Sequence, residues 1–135
     1  MATILLVGGD TALLEGLAQS LAAAGHRAHI ATTASEAVEA ARLDPPLVGV
    51  LERDLVLRDA SALHLQLLHG GARMLYRATG RDAPALSPAL QRAVMADLEL
   101  PLERHRLLAL VQRVVERARV TGRDRRDTPP ETRVV

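Results

Sequence analysis

The stretch Thr3–Gly25, TILLVGGDTALLEGLAQSLAAAG, decides the fold. Its uninterrupted apolar run, Ile4 to Val7, has the length of a strand buried on both faces, and it stops at Gly8 and Gly9. From Thr11 the period changes. Leu13, Leu14, Leu17 and Leu21 recur at helical spacing up to Gly25, a suitable C-terminal cap. Strand, turn and helix in that order open an α/β unit, and such units collect ligands where strands end. Two glycines at that place raise the question of whether they cradle a phosphate. The spacing argues against it. A dinucleotide loop needs Gly-x-Gly-x-x-Gly, but the glycines here are Gly8, Gly9 and Gly16. A Walker loop needs a lysine, and the chain has none. Asp10, next to Thr11 at the helix start, reads as an N-cap.

The alternation continues downstream. Arg27–Ala31 reads as a second strand, and Ser35–Leu43 as a helix with Ala37, Val38 and Ala41 inward, stopped by Pro45 and Pro46. Leu47–Leu51 is a third strand, Glu52–Asp59 a polar loop, and Ala60–His69 a helix closed by Gly70 and Gly71. Arg73–Tyr76 is a fourth strand and Ala78–Pro84 a loop. Ser87 before Pro88 marks a helix start, and that helix runs to about Met95. Asp97–Leu100 is a fifth strand broken by Pro101. Leu102–Arg119 is the longest helix, with Leu107, Leu108, Leu110, Val111, Val114 and Val115 on its apolar side. There the apolar pattern stops. Residues 1–119 therefore read as one domain, and 120–135, VTGRDRRDTPPETRVV, as a flexible tail.

Five strands alternating with five helices on short links predict an α/β fold, a doubly wound parallel sheet covered on both faces. Right-handed crossovers leave few topologies, and the flavodoxin-like order 2-1-3-4-5 fits best. A site then forms from Gly8–Asp10, Glu52–Asp54, Arg77–Gly80 and Leu100–Pro101.

Composition excludes several chemistries. With 48% hydrophobic residues the chain can bury a core, but an aliphatic one, since it has no Phe or Trp and one Tyr, Tyr76. The absence of Cys excludes disulfides, thiol catalysis and thiolate metal sites. A net charge of +1 sets up no global field for nucleic acid. The apolar runs fall far short of the roughly 20 residues that span a bilayer, and no signal peptide opens the chain, so a soluble cytoplasmic protein is expected. His26, His29, His64, His69 and His105 are scattered and read as surface residues. Residues 103–126 hold eight Arg against Glu103, Glu116 and Asp124. Without a nucleic-acid module or aromatic stacking set, they read as a solvated face. Thr128 and Thr132 are candidate kinase substrates in an exposed tail.

The order of these segments resembles a response-regulator receiver domain over about residues 3–118. The match is carried by ILLV, the Leu21-to-His26 helix end, the alanines and Glu36 of the second helix, PPLVGVLE (45–52), LYRATGRD (75–82) and ADLELPLERHRLLALVQRVV (96–115). The resemblance implies five functional positions. Two adjacent acids after strand 1 hold Mg²⁺, an Asp ending strand 3 accepts a phosphoryl group, a Ser or Thr ends strand 4, and a Lys precedes the strand-5 proline. A carboxylate attacking a phosphate anion needs metal and ammonium to neutralise charge. Here those positions fall on Gly8 and Gly9, Glu52, Arg77 (with Thr79 two residues on) and Leu100 before Pro101. The aromatic often found in strand 5 falls on Asp97.

The expectation is a stand-alone, phosphorylation-deficient receiver-like module that is not an enzyme and acts by protein–protein contact. No catalytic residue, metal or cofactor is expected. Arg77 is expected to make a bidentate pair with Glu52 or Asp54, with Arg53 and Arg58 competing for the same acids. By the resemblance, the contact surface is helix 4–strand 5–helix 5, with Gln91, Arg92, Asp97, Glu99, Arg104, Arg106 and Arg113 the residues to watch. That face also serves homodimers. The partner is an unspecified signalling protein, with membrane and nucleic acid not expected. Two alternatives stay open. One is an active receiver using Glu52 as an unusual acceptor. The other is a sensor holding an anion or small ligand in the emptied pocket.

Overall fold

Ile4, Leu6 and Val7 are fully buried because their strand runs through the middle of the sheet. The computed structural model describes residues 2–80 and 85–127, with the backbone alone over 121–127. The strands are β1 (Thr3–Val7), β2 (Arg27–Ala31), β3 (Val48–Glu52), β4 (Ala72–Ala78) and β5 (Ala96–Leu100). They form one parallel sheet in the order β2-β1-β3-β4-β5, the flavodoxin-like order expected. Five α-helices join them: α1 (Thr11–Ala23), α2 (Ala34–Leu43), α3 (Arg53–Arg58), α4 (Pro88–Ala93) and α5 (Arg104–Asp127).

Alternation along each strand divides the core in two. On one face Ile4, Leu6, Val50, Met74, Tyr76 and Leu98 meet Leu14, Leu17 and Leu21 of α1 and Leu107, Val111 and Val114 of α5. On the other Leu5, Val7, Leu51 and Leu75 meet Ala34, Ala37 and Ala41 of α2 and Leu55 and Val56 of α3. Each fully buried Leu or Ile contributes about 1.5–3 kcal/mol. The caps follow the sequence. Asp10 accepts from Leu13 N at 3.1 Å, and Ser87 from Leu90 N at 3.2 Å. Gly25, at φ +90°, ends α1 in a Schellman turn, with Gly25 N donating to Ala22 O and His26 N to Leu21 O.

Five local readings need correction. Glu52–Asp59 is not a loop: α3 occupies Arg53–Arg58, because Leu55 and Val56 give this polar stretch one apolar side. Ala60–His69 is not one helix. A 3₁₀ turn, started by the Asp59 side chain on Ser61, ends at His64. Leu65 then lies extended and buried, packed where Gly49 of β3 has no side chain. Val38 faces out, at the rim of α2, and His26 is buried rather than on the surface. Finally, α5 runs on to Asp127, past the end of its apolar pattern, since arginine is a good helix former and the first proline is Pro129. Residues 128–135, with Thr128 and Thr132, lie outside the described residues.

Candidate functional site

The question raised by Gly8 is answered by β4. Register pairs Glu52 with Tyr76 across β3 and β4, so both point to the α1–α5 face of the sheet. Gly8, following β1, shares that face and is buried. A Cβ built at Gly8 would overlap the Tyr76 hydroxyl and lie 3.2 Å from Glu52 Cβ. The phenol therefore fills the space that a side chain at position 8 would need. Tyr76 is 1% exposed, and its hydroxyl has no hydrogen-bond partner among the described residues. Burial, and then the charges of Glu52 and Asp10, hold its pKa far above the ordinary value, so it stays protonated.

Most other residues of the expected pocket are engaged elsewhere, and Gly9 is the exception. Gly9 is exposed and faces open space. Asp10 is the α1 cap. Leu100 is fully buried in the α1–α5 core, and the Leu100–Pro101 peptide is cis. Thr79 holds the turn after β5: its N donates to Leu100 O, and its Oγ1 accepts from Leu102 N at 3.0 Å. These residues do not make the paired-acid site a divalent cation would need, because Gly8 and Gly9 carry no side-chain oxygen and Asp10 gives Oδ1 to its cap. Among the described residues no group of three or more His, Asp or Glu is arranged to hold a metal.

The expected Glu52–Arg77 pair does not form. Arg77 follows Tyr76, so alternation sends it to the opposite face from Glu52. There it lies 3.5 Å from Asp97 Oδ2 and 3.5 Å from Glu99 Oε1 on β5. Glu52 is approached instead by the exposed Arg58, at 3.9 Å, a pair worth little in solvent. Arg53 is the residue that sequence reasoning undervalued. The first residue of α3, it is 4% exposed and donates from Nη1 to Asp97 Oδ2 at 2.8 Å. The signal was present in the strands. In ARMLYRA, Arg73 and Arg77 stand four residues apart and so share a face, and in ADLEL, Asp97 and Glu99 alternate with apolar residues, so two cations and two anions line one face of neighbouring strands.

Of the expected contact face, Gln91, Arg92, Arg104, Arg106 and Arg113 are exposed. Asp97 and Glu99 are half-buried and engaged by arginines. Arg106 pairs with Glu103 at 3.1 Å, and Gln91 donates to Leu86 O. A cavity of about 360 Å³, lined in part by Leu47, His69, Val115 and Arg119, lies at the opposite, N-terminal ends of the strands. No helix among the described residues is long and apolar enough to cross a membrane.

No family model matches the chain, and no curated protein sequence does. Solved structures do. NtrX from Brucella abortus, solved in complex with ATP, is 24% identical with a TM-score of 0.73 over 95% of this chain. This chain spans 29% of that one's length. A CheY-like response-regulator receiver domain protein from Methanospirillum hungatei JF-1 is 21% identical with a TM-score of 0.66, covering 88% of this chain and 98% of its own. The pseudo-receiver domain of CikA is 21% identical with a TM-score of 0.62, covering 85% of this chain and 98% of its own. Sheet order, helix placement and these likenesses agree that the chain has the fold of response-regulator receiver domains.

Proposed function

We propose that this chain is a signalling module of the receiver fold that works through protein–protein contact without being phosphorylated and without catalysing a reaction. One observation carries the reading: the Tyr76 phenol occupies the space over Gly8, where the fold's metal-binding acid would stand. Phosphoryl transfer to a carboxylate brings two anions together, and it needs cations preorganised at the site. Here the lysine position is the buried Leu100, and the cation that approaches Glu52 among the described residues is the exposed Arg58, at 3.9 Å. The ligand-sensor alternative has less support, since the phenol takes the room an anion would use.

The contact surface is α4–β5–α5, with Gln91, Arg92, Arg104, Arg106 and Arg113 available at its surface and Asp97 and Glu99 set behind them. A second copy of the chain is one occupant that this face would accept. Incubation with Mg²⁺ and a small phosphodonor, followed by intact mass, tests the central reading. The expected result is an unchanged mass, with an authentic receiver labelled in parallel. A gain of one phosphoryl group on this chain would overturn it in favour of Glu52 as an acceptor.

A further inference from the structure

The charged residues between β3 and α5 form a continuous row. Arg53 begins α3, directly after Glu52 ends β3. Its guanidinium reaches across β4 to Asp97 on β5 at 2.8 Å. Asp97 Oδ2 also faces Arg77 Nη1 on β4, and Arg77 Nη2 faces Glu99 Oε1 on β5. Glu99 N donates to Glu103 Oε1 at 2.8 Å, and Glu103 Oε2 takes Arg106 at 3.1 Å on the exposed first turns of α5. The row joins the end of β3, the fold's phosphoryl-acceptor position, to the outer surface on which partners would dock.

Its burial makes it rigid. The Arg53 side chain is 5% exposed, and those of Asp97, Glu99 and Arg77 lie between 23% and 32%. Arg53 Nε and Asp97 Oδ1 are buried without partners among the described residues, so the pair is held by the single Nη1–Oδ2 hydrogen bond between them. Losing Asp97 would leave the buried Arg53 charge uncompensated, and losing either arginine leaves a partly buried carboxylate short of a partner, whereas a surface pair could be lost with little effect. The helix above this face does not supply the missing rigidity, since α4 has six residues and none of them is buried.

We infer that the row Arg53–Asp97–Arg77–Glu99 is a conformational strut. It fixes the β5–α5 surface to the start of α3 and holds that surface in one arrangement. A disturbance at either end is carried to the other through these charges. This goes beyond the absence of phosphorylation and stands apart from it, because the strut is read by exchange and the earlier proposal by mass.

Amide hydrogen exchange on the full chain tests it, in Arg53→Met and in Arg77→Gln. The second variant replaces a partly exposed residue and keeps the test alive if the first does not fold. The strut predicts that each variant speeds exchange by about tenfold in both α3 and residues 96–107, as local opening becomes easier, while β1, α1 and β2 keep their protection. Loosening confined to the element that carries the substitution would overturn it, as would unchanged exchange.

Discussion

At the scale of single residues, one aromatic side chain and one missing Cβ explain each other. Tyr76 is the chain's one residue among Phe, Trp and Tyr, and it lies in the core with its hydroxyl unpaired among the described residues. A buried hydroxyl without a partner costs free energy, so Tyr76→Phe is expected to be neutral or stabilising. Gly8→Ala pushes a methyl group into that hydroxyl, and overpacking of this kind costs about 1–3 kcal/mol. The two changes are coupled. With the hydroxyl gone, the next atom facing the new Cβ is Tyr76 Cζ at 3.1 Å, which a few tenths of an ångström of movement relieves. The cost of Gly8→Ala should therefore fall by about 1 kcal/mol or more in the Tyr76→Phe background. Urea denaturation of the four proteins measures this, and additive costs would show that the phenol is not what Gly8 accommodates.

At the scale of elements, stability is uneven, and the caps expose it. Asp10 starts α1, which places Leu14, Leu17 and Leu21 in the core. Ser87 caps α4 in the same way, but no residue of α4 is fully buried, and its contact with the core is the partly buried Leu90. A lost cap costs about 1 kcal/mol wherever its helix folds with the whole. Asp10→Ala should lower global stability by about that much, while Ser87→Ala should lower it far less, because α4 can open before the rest unfolds. Equal losses in urea would mean that α4 is as integrated as α1. The same contrast shows what the sequence made legible. Strands and helices with a strong apolar period, β1, α1 and α5 up to Arg119, were readable because burial and periodicity agree there. Residues 52–69 were not, because their fold depends on Leu65 finding the gap over Gly49, a contact between distant segments. The resemblance named five pocket positions, yet it carried no register from which to pair them. Which face Arg77 takes depends on the register of β3 with β4, and a shift of one residue would have sent it to Glu52.

At the scale of the whole molecule, the response to acid follows from where charge is held. Among the described residues His26 and Arg53 are the buried polar or charged side chains. Of the two, His26 is an imidazole, which changes charge near neutral pH. Burial first, and then the positive amino terminus, lower the His26 pKa below its ordinary 6.5. Above that value the imidazole is neutral in both folded and unfolded chains, and its full contribution is present. As pH falls below 6.5, the unfolded chain takes up the proton first, so stability drains until the lower folded value is reached. Glu39, Asp59 and Glu103 behave differently. Hydrogen bonds from Arg42, Ser61 and the Glu99 backbone, respectively, lower their pKa values from 4.5, 3.8 and 4.5. Their stabilisation is present above those ordinary values and is lost as pH falls through the lowered ones, and it is small because all three are exposed or nearly so. Acid should therefore weaken the fold in two separate stages. Urea midpoints taken at about pH 7.5, 5.5 and 3.5 resolve them. In His26→Leu the step between the first two should shrink while the step to the third persists. A first step of unchanged size in that variant would place the early loss elsewhere in the molecule.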